Sequence, residues 1–208
     1  MIEHMAPLRA FEPAEALRQI RKLVDAIGDE KVLHSFYLEY VRRLLTLRII
    51  REACPQCGSL IVDLGASPFI VSCALKCMGY NVIAVDLDPM KYISLASQYG
   101  VKVIKADLER DKLSLPDEQA DCVLLAEVLE HLNPYYVSHV MSEINRVLKP
   151  GGKLILTTPN IASLFRRIRL LLGIQPQYTR HVHEYTKREV EELLMKHGFR
   201  MLRINYSE

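Results

Sequence analysis

SLIVDLGASPF, residues 59–69, is where the rhythm of the chain changes. Upstream, apolar residues recur every three or four positions. Here Leu60, Ile61, Val62 and Leu64 come almost without interruption, and Gly65 follows. A short apolar run closed by a glycine reads as a strand buried on both faces. The same unit then recurs. A helix over 68–79 leads to strand NVIAVD (81–86), and a helix over 89–99 leads to strand VKVIKAD (101–107). After an irregular stretch come strand DCVLLAE (121–127), a helix over 134–148 and strand KLILTTP (153–159). Alternation of this kind calls for parallel strands joined by right-handed crossovers with helices on both faces. The expected fold is α/β, a doubly wound, mostly parallel sheet.

Two amphipathic helices precede it. Over 13–27, Leu17, Ile20, Val24 and Ile27 share a face, Pro13 suits the first turn and Gly28 the end. Over 30–51, Val32, Leu33, Phe36, Tyr40, Val41 and Leu44 make the stripe. Residues 1–52 are therefore expected to form an N-terminal helical cap on a core of residues 53–208, with Tyr37 and Tyr40 as candidates to line a pocket.

The 208 residues suffice for one good core, and half of them are hydrophobic. The net charge of +2 is too small to argue for nucleic acid or membrane by itself. No run approaches the roughly 20 apolar residues of a membrane span. MIEHMAPLRAFEP lacks an apolar signal core, so a cytoplasmic protein is expected. CPQCG (54–58) has the spacing of half a zinc knuckle, but no second CxxC accompanies it. The better reading is a tight turn before the first strand.

In doubly wound sheets, ligands bind outside the carboxyl ends of the strands. The residues there are Asp63 to Pro68, Asp86 and Asp88, Asp107, Glu127 to His131, and Thr157 to Asn160. Gly65 allows a sharp turn and close backbone approach. The dinucleotide pattern G-x-G-x-x-G is absent, with Ser67 and Phe69 in place of glycines, which disfavours a pyrophosphate. An amino-acid carboxylate asks for less. Asp86 can accept from both hydroxyls of a ribose, and Asp107 from an adenine amino group. Each aspartate taken alone also fits a helix cap or a turn. Taken in order, they describe an adenosine with an amino-acid tail.

VDLGASP, AVDLDP, KADLE, DCVLLAEVLEHL and NRVLKPGGKLILTTPN resemble the successive motifs of class I S-adenosylmethionine-dependent methyltransferases (the type 11/12 group). The resemblance runs from about residue 59 to about residue 204. It implies that Asp63, Gly65, Ala66 and Ser67 line the methionine end of the cofactor. Asp86 and Leu87 would hold the ribose, Asp107 and Leu108 would frame the adenine, and Glu127 would border the methyl group. Two departures stand out. The family's glycine-rich loop is reduced to Gly-Ala-Ser-Pro, and its closing antiparallel hairpin is represented by one expected strand, FRMLRINYS (199–207).

LLAEVLEHLNP (124–134) puts Glu127, Glu130 and His131 at i, i+3 and i+4. A helical turn starting at Glu127 would place all three on one face. One reading is a helix start that touches cofactor. In another, His131 takes a proton from a substrate hydroxyl, a task suited to a group that titrates near neutrality, with Glu130 beside it. A third is a divalent ion, Mg²⁺ or Mn²⁺. RHVHEYT (180–186) follows downstream. With it, the pattern resembles two metal-assisted branches of the superfamily, the ubiquinone-type O-methyltransferases and the small-RNA 2′-O-methyltransferases. That resemblance implies Glu127, Glu130, His131 and His181 as ligands.

IASLFRRIRLLL (161–172) has helical spacing, with Arg166, Arg167 and Arg169 set against an apolar stripe. It reads as a docked helix, or as a lid or interfacial element. The resulting expectation is a methyltransferase acting on an oxygen of a small-molecule or lipid-like acceptor. The alternatives are a metal-assisted RNA 2′-O-methyltransferase and, from another class, a non-catalytic adenosyl-binding partner module.

Overall fold

The computed structural model describes residues 11–173 and 181–204. Five parallel strands form one sheet: β1 (Leu60–Leu64), β2 (Asn81–Asp86), β3 (Lys102–Lys105), β4 (Ala120–Ala126) and β5 (Leu148–Thr157). Their order is β3-β2-β1-β4-β5, so the chain reverses its winding between β1 and β4. The crevice of a doubly wound sheet opens at that reversal.

Alternate residues feed two cores. Ile61, Val82, Ala84, Cys122 and Leu124 face one side, and Val62, Leu64, Ile83, Val85, Val123 and Leu125 the other. The first side is covered by α1 (Pro13–Ile27), α2 (Glu30–Leu38), α3 (Tyr40–Ala53), α4 (Ile70–Cys77) and α5 (Ile93–Gln98). Leu17, Ile20, Phe36, Leu47 and Ile50 are buried in the same cluster as Ile61 and Ile70. The second side is covered by α6 (Pro134–Val147), and Val190 and Leu193 of α8 (Lys187–Lys196) pack there with Phe199. α8 opens with a capping box, in which Thr186 and Glu189 each bond the other's backbone N–H. α7 (Leu164–Leu171) lies between β5 and the HVHEY segment.

Three expectations are corrected. The single helix over 30–51 is two. Glu39 leaves the helical region (φ −101°, ψ 7°), and its carboxylate takes Arg42 and Arg43 of the next turn. The face then rotates, so that α3 buries Arg43, Thr46, Leu47 and Ile50 while Val41 is exposed. Strand β5 begins at Leu148 and not Lys153, its register against β4 slipping between Leu148 and Lys153. Residues 199–204 form no strand, and Leu202 and Ile204 stay exposed. An amphipathic run without a strand to pair with has no ladder to join; positions 205–207 of that run lie outside the described residues. The CPQC segment is the turn into β1, with Cys54 buried and Cys57 exposed.

Candidate active site

The carboxyl edge of the sheet carries the polar residues expected there. Asp63, in β1, is buried and accepts the Ser72 hydroxyl at 2.5 Å. Burial pushes its carboxyl up to about 7, with the nearby Asp86 charge adding to the rise and the Ser72 hydrogen bond opposing it. Gly65 follows at φ +67°. A Cβ there would lie 2.5 Å from Cγ2 of Val128, so the turn after β1 packs directly on the turn after β4. Gly65 and Ala66 both donate to the Val85 carbonyl, which ties the first turn to β2. The loop continues through a cis Ser67–Pro68 bond to Phe69, which is buried at the start of α4.

Asp86 ends β2. Its two carboxylate oxygens accept the backbone N–H groups of Ser67 (2.9 Å) and Asp88 (3.0 Å). A carboxylate has about four lone-pair sites. The group is therefore oriented and still has acceptor capacity toward the edge. Leu87 beside it is exposed. Asp107 sits in its own tight turn, accepting from Glu109 N–H and donating its N–H to Asp111. Leu108 packs at the margin of the second core.

The segment after β4 departs from the expected single face. Glu127 adopts φ +56°, and a 3₁₀ turn begins only at Leu129. The left-handed residue sends its carboxylate away from that turn: Thr157 donates to one oxygen (2.9 Å) and Arg42 of α3 to the other (2.5 Å). Glu130 and His131 remain together. Glu130 is buried and accepts the Thr158 hydroxyl at 3.0 Å; burial raises its carboxyl above the usual range. Its carbonyl accepts from Val182 and His183, which pins the HVHEY segment against the turn. His131 is exposed, and its ring meets that of His181 edge-to-face, with centroids 5.0 Å apart.

Behind His181 lies Glu184, itself buried. One carboxylate oxygen is 2.6 Å from His181 Nδ1, and the other accepts from Arg166 of α7. Burial opposes the charge of Glu184, yet the bonds from Arg166 and His181 outweigh it and hold its carboxyl below the usual range. Among the described residues, Glu130, His131 and His181 can bring one ligand atom each within 4.8 Å of one another. Glu127 is not in that group.

Residues 62–156 match the methyltransferase domain family model. Over that stretch the chain is similar to S-adenosylmethionine-dependent methyltransferases. A probable S-adenosylmethionine-dependent methyltransferase of Mycobacterium tuberculosis is 31% identical over 73% of this chain and 53% of its own length. The chain thus spans about half of that relative. A ubiquinone biosynthesis O-methyltransferase of Xanthomonas oryzae pv. oryzae is 28% identical over 78% of this chain and 69% of its own. The solved structure of a SAM-dependent methyltransferase from Archaeoglobus fulgidus superposes with a TM-score of 0.64. It covers 83% of this chain and 75% of that one at 23% identity, a likeness of fold.

Spacing alone found the strand-end residues. It did not find Arg42 or Glu184 as partners of the site, nor which carboxylates Thr157 and Thr158 would bond. Thr157 and Thr158 were within the segment named after β5, and their hydroxyls were the available signal. Arg42 had none, because a basic residue on an amphipathic helix reads as solvated. Of the two tyrosines considered for a pocket, Tyr37 is exposed under the Arg21 guanidinium, and Tyr40 packs against Phe36 and the first core.

Proposed function

We propose that this chain transfers the methyl group of S-adenosylmethionine to an oxygen of a small-molecule or lipid-like acceptor. The observation that carries the reading is Asp86, at the carboxyl end of β2, whose carboxylate is held by two backbone amides and keeps further acceptor capacity. The cofactor supplies the electrophilic methyl group; the residues supply binding, orientation and proton handling. Asp86 accepts from the ribose hydroxyls, with Leu87 beside the sugar. Asp107 and Leu108 frame the base. Asp63, Gly65, Ala66 and Ser67 line the amino-acid end, where a buried carboxyl near Asp86 would be relieved by a cationic group. Arg42 brings a cation from α3 to the same edge through Glu127. His131 accepts the proton of the acceptor hydroxyl, and the buried Glu130 fixes the turn that presents it. Among the described residues no helix is long and apolar enough to cross a membrane. That the Xanthomonas relative is a ubiquinone biosynthesis O-methyltransferase supports oxygen as the acceptor atom.

The experiment is methyl transfer from labelled S-adenosylmethionine to fractionated acceptor pools. Label in a lipid or small-molecule fraction supports the reading, and label in RNA favours the nucleic-acid alternative. Cofactor binding without transfer to any pool favours a non-catalytic adenosyl-binding module.

One observation favours a second reading, the convergence of Glu130, His131 and His181. One carboxylate and two imidazoles suit a divalent ion such as Mn²⁺ or Mg²⁺. Glu184 beside His181 Nδ1 is the kind of partner that orients a ligating imidazole. Such an ion would acidify an acceptor hydroxyl. Glu127, committed to Arg42 and Thr157, would not be among its ligands.

A further inference from the structure

Two helices flank the site, and both leave apolar side chains in water. On α7, Ile168, Leu171 and Leu172 stand at i, i+3 and i+4, with Leu171 86% and Leu172 70% exposed. Leu170 is exposed beside them. On the other flank, Val41 and Leu45 of α3 are exposed on one face, continued by Leu38 at the end of α2. A lone exposed leucine needs no explanation, but a contiguous set marks an interaction surface.

Both sets belong to the carboxyl edge. Arg42, next to Val41, reaches Glu127. Arg166, on α7, reaches Glu184, which holds His181 against His131. Each helix that carries such a face is thus tied by one arginine to a carboxylate at or beside the candidate catalytic turn.

Charge selects among the surfaces that could cover them. α7 reads LFRRIRLL, three arginines and no acidic residue. Arg166 turns inward to Glu184, while Arg167 is exposed beside the leucines. On α3, Arg48 is exposed one turn beyond Leu45. Leucines flanked by arginines suit the boundary of an anionic bilayer, where acyl chains take the leucines and headgroups take the guanidiniums. We propose that α7 and the exposed face of α3 form a docking surface for an anionic membrane. Docking requires no cofactor, so its test stands apart from the methyl-transfer reading.

The full chain is floated through a density gradient with vesicles of phosphatidylcholine alone or with phosphatidylglycerol added. The wild type is expected to rise with the anionic vesicles and stay behind with the neutral ones, with binding falling as salt is raised. Leu171→Glu with Leu172→Glu withdraws two side chains from the acyl boundary and adds like charge; the bound fraction should drop at least about tenfold. Val41→Asp should lower it from the other flank. All three positions are exposed, so melting temperatures should match the wild type, and a matched melt separates lost docking from lost folding. The proposal is overturned if the wild type ignores anionic vesicles, or if the Leu171/Leu172 variant floats as well as the wild type. It is equally overturned if the wild type is a dimer that these substitutions split while no form floats, for the surface then belongs to a second copy.

Discussion

Replacing Gly65 by alanine tests whether the turns after β1 and β4 are packed as described. Two penalties apply. At φ +67°, a Cβ costs roughly 1–2 kcal/mol, because the left-handed conformation crowds it against the following carbonyl. The new methyl would also lie 2.5 Å from Val128 Cγ2 and 3.3 Å from Cγ1. Relieving such an overlap in a packed site costs roughly 1–3 kcal/mol. The sum, roughly 2–5 kcal/mol, should lower the melting temperature by about 5–15 °C for a chain of this size. Val128→Ala removes both crowding methyls and leaves the backbone penalty. The Gly65→Ala/Val128→Ala double variant should therefore be more stable than the sum of the singles by about 1–3 kcal/mol in urea unfolding. A Gly65→Ala protein that melts with the wild type refutes the strained turn. An additive cycle refutes the contact with Val128.

Asp63 has a folded-state pKa of about 7 against an ordinary 3.8, so between those values the folded protein holds a proton that the unfolded chain has lost. Stability is then lost as pH rises through that window. Asp63→Asn, similar in shape and uncharged, should gain on the wild type between pH 5 and pH 8, and an equal difference in melting temperature at both would reject the buried charge. Arg42→Ala removes a half-exposed ion pair, so it should cost under about 1 kcal/mol of stability; it is expected to weaken S-adenosylmethionine binding through the loss of Glu127's anchor, and unchanged affinity would leave Arg42 outside the site. With His131 as the base, transfer should survive exhaustive chelation, and His131→Gln should lose roughly 10²–10⁴-fold in rate. Loss on chelation with recovery on Mn²⁺ would instead select the metal reading.

The sheet was legible because strands buried on both faces leave continuous apolar runs, as in LIVDL and DCVLL. Once their alternation with helices is seen, topology puts Asp63, Asp86, Asp107 and Glu127 along one edge without further information. What escaped is long-range or conformationally unusual. No glycine or proline marks Glu39, so the break between α2 and α3 leaves no local signal. Glu127 at φ +56° contradicts the preference of a residue with a Cβ, and the packing of two turns overrides it. The i, i+3, i+4 spacing of Glu127, Glu130 and His131 therefore overstated their common face. The FRMLRINYS run has a strand's composition, but composition cannot supply the neighbour that a strand requires.

The central claim is that the edge formed by Gly65, Asp86 and Asp107 holds S-adenosylmethionine, and titration calorimetry tests it most directly. The wild type should bind the cofactor with one-to-one stoichiometry. Asp86→Ala should weaken binding by about 10- to 150-fold, the equivalent of roughly 1.5–3 kcal/mol for a lost charged hydrogen bond. Its fold is checked by melting, since the variant also releases the Ser67 and Asp88 amides. Unchanged affinity in a folded Asp86→Ala protein would remove Asp86 from the site, and no heat of binding from the folded wild type would contradict the account as a whole.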